Sequence, residues 1–100
     1  MKLINDNNFK EEVLDFKGVV LVDIFATWCG PCKMLAPELE ALSKEVDIKI
    51  VKVDVDENEE IATKYQVQAI PTLLLFKDGS VVKRTMGYKN KQALLEFIKL

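Results

Sequence analysis

The sequence predicts an α/β domain, a mixed β-sheet with helices on both faces, on three observations. Val19 to Phe25 is apolar at odd and even positions alike, as in a central parallel strand covered on both sides. Leu35, Leu39, Leu42 and Val46 then recur at helical spacing. The chain goes on through further strand-like and helix-like segments to an Asp78-Gly79 hairpin signal and a last amphipathic stripe. The order βαβαβα, then a hairpin and a helix, supplies helices enough for both faces of the sheet.

Taken in order, Lys2 to Asn5 reads as a short edge strand. Asn8, with Glu11 three residues later, resembles a capping box, and Phe9, Val13 and Phe16 fall on one face of the helix it opens. Lys17-Gly18 ends that helix. The central strand Val19–Phe25 follows, interrupted by Asp23, whose apolar neighbours argue for burial. The next helix contains Pro37, which cannot donate to the carbonyl of Lys33 and should kink it, and Glu40 and Lys44 are spaced for an exposed ion pair. Lys49 to Val55 reads as a strand. The run Asp54-Val55-Asp56-Glu57-Asn58-Glu59-Glu60 suggests a calcium loop, but such a loop would want glycine at Glu59 and glutamate at Tyr65. The acids fit better as cap and dipole partners of a short helix carrying Ile61, Ala62 and Tyr65. Thr72–Phe76 and Val81–Met86 form the hairpin, and Asn90 caps a helix with Leu94, Phe97 and Ile98 on its apolar face.

One hundred residues, nearly half of them apolar, suit a single domain over 1–100 with one core. The formal net charge is −2 with no basic stripe, which argues against a nucleic-acid partner. Met1 to Asp6 has no apolar stretch of signal-peptide length, and no segment approaches a membrane span. A cytoplasmic protein is the simplest reading, and in that compartment a cysteine pair is more often catalytic than structural.

The two cysteines both lie in Trp28-Cys29-Gly30-Pro31-Cys32-Lys33, at the junction of the central strand and the following helix. Three readings compete. A structural zinc site needs four ligands, and with no histidine and no further cysteine only a zinc shared across a dimer remains. A structural staple closing so short a loop would contribute only about 2 kcal/mol. The third reading, a disulfide that opens and closes as the protein's chemistry, fits a Cys-x-x-Cys near a βαβ pattern best. Cys29, at the helix start, feels unpaired N–H groups and the helix dipole, which favour its thiolate. Cys32, one turn further in, should be shielded and less acidic. Cys29 should therefore attack a substrate disulfide and Cys32 resolve the mixed disulfide. Pro31 is tolerated in the first turn, where its missing N–H does no harm.

Trp-Cys-Gly-Pro-Cys-Lys resembles the active-site sequence of the thioredoxin family, and the likeness continues through Asp23, Pro37, Ile70-Pro71-Thr72, Lys77-Asp78-Gly79 and Gly87. The resemblance implies the thioredoxin fold, with a central five-stranded mixed sheet flanked by four helices. It implies a protein-disulfide reductase and dithiol carrier that binds no cofactor and no metal, works as a monomer on disulfide-containing proteins, and draws electrons from a separate thioredoxin reductase. Gly30-Pro31 between the cysteines looks like the reductant branch of the family. A thioredoxin-fold binding module with incidental cysteines is the alternative.

The resemblance also implies a docking surface of Trp28, Gly30, Pro31, Ala69, Ile70, Pro71 and Gly87, with a cis bond before Pro71. Asp23 is the candidate proton acceptor for Cys32, since burial raises a carboxylate's pKa towards neutrality. Lys52 resembles the nearby lysine that tunes that charge. Phe25 departs from the second tryptophan of the best-known members, and Tyr88 is larger than the residue common after the late glycine.

Overall fold

The computed structural model describes residues 1–100. Its sheet runs β1-β3-β2-β4-β5, with β1 (Lys2–Ile4), β2 (Val19–Phe25), β3 (Lys49–Asp54), β4 (Thr72–Lys77) and β5 (Ser80–Met86). The first three strands are mutually parallel, whereas β4 lies antiparallel to both β2 and β5. This is the mixed five-stranded sheet expected.

Alternation along β2 divides the interior into two layers. Val20, Val22 and Ile24 join Ile4, Phe9, Val13, Val53, Ile61 and Phe76 on one face. Leu21 joins Leu35, Leu39, Leu42, Leu73, Leu75 and Leu94 on the other, under α1 (Gly30–Ser43) and α3 (Lys91–Phe97). Asp23 and Phe25 follow Leu21 at two-residue steps, so they belong to the α1 face. That register makes Asp23 a carboxylate under a helix.

Four helical segments flank the sheet besides a 3₁₀ turn, but the first differs from its expected form. Lys10–Leu14 is a π-helical turn in which the Asp15 N–H donates to the Lys10 carbonyl. The anticipated capping box is absent because Asn8 Oδ1 accepts from the Asn5 N–H instead. Phe9 and Val13 are nevertheless buried as the spacing required. The turn also buries Glu12, which ion-pairs with Lys2 and Lys49 at 2.9 Å each and so ties the segment to β1 and β3.

α1 ends at Ser43, short of Val46, and Glu40 and Lys44 make no ion pair; Lys91 of α3 pairs with Glu45 instead. The acidic run also divides differently. Val55–Glu57 is the 3₁₀ turn, with Asp54 accepting from the Asp56 N–H, and α2 spans Glu59–Lys64. The cap of α2 comes from far away in sequence: the Asp6 carboxylate accepts from the N–H groups of Glu60 and Ile61. Asn58 accepts from the Asp6 N–H and donates to the Asp54 carbonyl, closing the joint.

The hairpin turns at Asp78 and Gly79, with φ of 49° and 86°, the left-handed pair that matches strand twist. A side chain at Gly79 would collide with the Leu14 carbonyl oxygen. Asn90 caps α3 by accepting from the Ala93 N–H, as its position predicted.

Candidate functional site

β2, the central strand, ends at Phe25, and a short turn leads into α1. Cys29 is the N-cap residue of α1 and Pro31 lies in its first turn, so the helix begins inside the motif. The two cysteines form a disulfide with Cα atoms 5.2 Å apart. The Cys32 N–H donates to Cys29 Sγ at 3.2 Å, so the sulfur of Cys29 occupies the acceptor position usually held by a serine or aspartate oxygen. An anion there meets the positive end of the helix, which is the electrostatic condition for a stabilised thiolate.

Residue burial does not distinguish the two cysteines as the sequence reading expected. Cys29 is 4% exposed and Cys32 5%, so in the disulfide state both residues are shielded alike. The asymmetry lies in helix position, with Cys29 at the cap and Cys32 one turn inside.

On one side of the disulfide stand the residues of the expected docking surface. The Ile70–Pro71 bond is cis. The Ile70 carbonyl oxygen lies 3.8 Å from Cys29 Sγ, and the Pro71 carbonyl accepts from the Gly87 N–H at 2.8 Å. Thr72 holds the loop by donating to the Ala69 carbonyl at 2.6 Å. Gly87 has φ of 91°, a left-handed value that favours glycine. Trp28, Ala69 and Ile70, with Val55 and Val67, line a cleft of about 190 Å³. Gly30, Pro31 and Ala69 are exposed, Ile70 and Gly87 half-buried, and Pro71 buried.

Trp28 is 68% exposed, which excludes a core role. Its indole N–H donates to Asp56 Oδ2 at 2.7 Å. Sequence reasoning missed Asp56, which it counted among the helix-dipole acids. The available signal was chemical: an indole N–H seeks an acceptor, and Asp54–Glu60 supplies six side chains that can accept one.

Asp23 and Lys52 are register partners on β2 and β3. Asp23 is 1% exposed and its Oδ1 has no hydrogen-bond partner. Burial pushes its pKa up to about 6, with the Lys52 charge acting in the opposite direction. Lys52 is half-buried, and its Nζ sits 4.7 Å from the centroid of the Phe25 ring. Phe25, Lys52 and Cys32 line a second cleft, of about 220 Å³, together with Lys33. No cluster of histidine, cysteine and carboxylate side chains suited to a metal ion is present.

A helix-capping cysteine paired with a second one turn later, on a mixed sheet and beside a cis-proline loop, defines a thiol–disulfide oxidoreductase. The thioredoxin family profile matches residues 1–100. The chain is 55% identical over 95 residues to a thioredoxin of Bacillus subtilis, covering 93% of this chain and 89% of that one. It is 53% identical over 94 residues to a thioredoxin of Mycobacterium tuberculosis, covering 92% and 81%. A thioredoxin of Chlamydia trachomatis is 46% identical over 99 residues, covering 98% and 95%. The chain belongs to the thioredoxin family. Its cysteine pair is the redox group of that family, and its substrates are disulfides in other proteins.

Proposed function

We propose that this domain acts as a monomeric dithiol carrier in the cytoplasm, reducing protein disulfides and being reduced in turn by a thioredoxin reductase. No helix is long and apolar enough to cross a membrane. The observation that carries the mechanism is the Cys32 N–H donating to Cys29 Sγ at the start of α1. In the reduced protein that donor and the helix dipole stabilise a Cys29 thiolate.

The thiolate attacks one sulfur of a substrate disulfide. A Cys29–substrate bond forms, the substrate S–S bond breaks, and the first substrate sulfur leaves and takes up a proton. The Cys32 proton then passes to the Asp23 carboxylate, and the Cys32 thiolate attacks Cys29 Sγ. The Cys29–Cys32 disulfide forms and the second substrate thiolate leaves. Two electrons have moved to the substrate, and the reductase restores them with two protons.

Asp23, with a pKa near 6, is largely ionised at neutral pH yet basic enough to hold the proton transiently. Lys52 tunes it. Trp28, Gly30, Pro31, Ala69, Ile70, Pro71 and Gly87 form the docking surface, along which an extended substrate segment meets backbone groups of the proline loop.

A coupled assay with NADPH, a thioredoxin reductase and a disulfide-containing protein tests the reading. The wild type should sustain substrate reduction and the double Cys29→Ser, Cys32→Ser variant none. Equal biological activity of the double variant would instead mark a binding module.

A further inference from the structure

Phe25 has two kinds of neighbour. Its ring packs against the cluster of Ala26, Cys29 and Cys32, and it also lies beneath the Lys52 ammonium at 4.7 Å. No ion pair or hydrogen bond holds that ammonium elsewhere. A lysine head on a flexible four-carbon stem prefers bulk water unless something retains it. The π-face of Phe25 is the retaining group that the structure provides.

We propose that Phe25 is a positioning residue: its ring keeps the Lys52 charge over the sheet face that carries Asp23, and so sets the protonation of Asp23. The inference rests on the reading in which Asp23 receives the Cys32 proton and Lys52 tunes it. Three register facts support it. Asp23 and Phe25 lie two residues apart on β2 and share a face, and Lys52 is the β3 register partner of Asp23. The β4 register partner of Asp23 is Leu73, which is apolar. From α1, the titratable or charged groups lining the adjoining cleft are Cys32 and Lys33, and Lys33 is exposed. Lys83 is also half-buried on this face, opposite Leu75, but the Phe97 and Lys99 carbonyls hold its ammonium. Lys52 is therefore the half-buried cation in register with Asp23, and the place of its head decides how much charge Asp23 feels.

Removing the ring releases the ammonium to solvent and withdraws positive charge from Asp23, so the carboxylate holds its proton to higher pH. A ring that merely filled space would have the opposite effect, because loosened packing admits water and lowers the pKa of a buried acid. The sign separates the two roles.

The test follows the Asp23 side-chain carboxyl ¹³C resonance of the oxidised protein across pH, assigned through Asp23→Asn. Lys52→Met should raise the titration midpoint by about one pH unit. Phe25→Leu should raise it by about half a pH unit, Phe25→Trp should leave it near the wild-type value, and Phe25→Leu added to Lys52→Met should change nothing further. A midpoint that stays put or falls in Phe25→Leu, while Lys52→Met raises it, overturns the role of Phe25 alone. No response to Lys52→Met overturns the Lys52 reading beneath it. Should Phe25→Leu fail to fold, the wild type still decides: the Lys52 Hε protons should be displaced upfield by the ring, and ordinary random-coil positions would contradict the proposal.

Discussion

The indole N–H of Trp28 is bound to the carboxylate of Asp56 at 2.7 Å, although the indole itself is two-thirds exposed. The bond fixes one wall of the cleft beside the disulfide while leaving its apolar face free. Asp56 is in turn held by Asp54, which accepts from its N–H at 3.0 Å. A large exposed aromatic so restrained loses little entropy when a partner covers it.

Asp56→Ala should therefore raise KM for a protein disulfide by about threefold to tenfold with kcat nearly unchanged. A small aromatic disulfide reagent, which needs no docking surface, should react at the wild-type rate. Trp28 is the single tryptophan, so its fluorescence anisotropy reports the freed indole directly. Unchanged KM with a mobile indole would remove Asp56 from the docking account.

Asp23 gives a prediction that separates stability from activity. Its folded pKa of about 6 lies above the usual 3.8, so the folded state holds the proton more tightly than the unfolded chain. Its contribution to stability is greatest below the unfolded value and declines as pH rises from there through about 6. Asp23→Asn removes that penalty, and the oxidised variant should be more stable near neutral pH by roughly 1–3 kcal/mol in denaturant unfolding. Below about pH 4 the gain should vanish. Exchange should slow in the same variant, and the wild-type rate of mixed-disulfide resolution should fall as pH drops through about 6.

The cap on α2 predicts a local loss of stability. Asp6→Ala leaves the Glu60 and Ile61 N–H groups without their carboxylate and should cost about 1 kcal/mol, with Asp6→Asn costing less. Hydrogen exchange should accelerate first in Glu59–Lys64. Uniform acceleration across the sheet would mean that Asp6 supports the whole fold instead.

What the sequence revealed and what it hid divide along local and distant interactions. The β2 strand, the helix opening at Cys29, the Asp78-Gly79 turn and the Asn90 cap depend on periodicity and near-neighbour chemistry, and each formed as read. Asn8 and Glu11 also carried a local pattern, but Asn5 competed for the Asn8 side chain and the helix widened into a π turn beyond it. The Asp6 cap spans more than fifty residues and the Trp28–Asp56 bond twenty-eight, so no window along the chain contains either pair. The strand order and the cis bond before Pro71 came through family resemblance, since hydrophobic pattern specifies neither. Equal burial of the two cysteines was hidden for a related reason, because it depends on loops contributed by other parts of the chain.

We propose that helix position, rather than exposure, makes Cys29 the attacking thiol and Cys32 the resolving one. The most direct measurement is to incubate single-cysteine variants with a disulfide-containing protein and quantify covalent adducts on non-reducing gels. Cys32→Ser should accumulate mixed disulfides through Cys29, because attack proceeds and resolution does not, whereas Cys29→Ser should accumulate essentially none. Adducts forming on Cys29→Ser as fast as on Cys32→Ser would contradict the assignment.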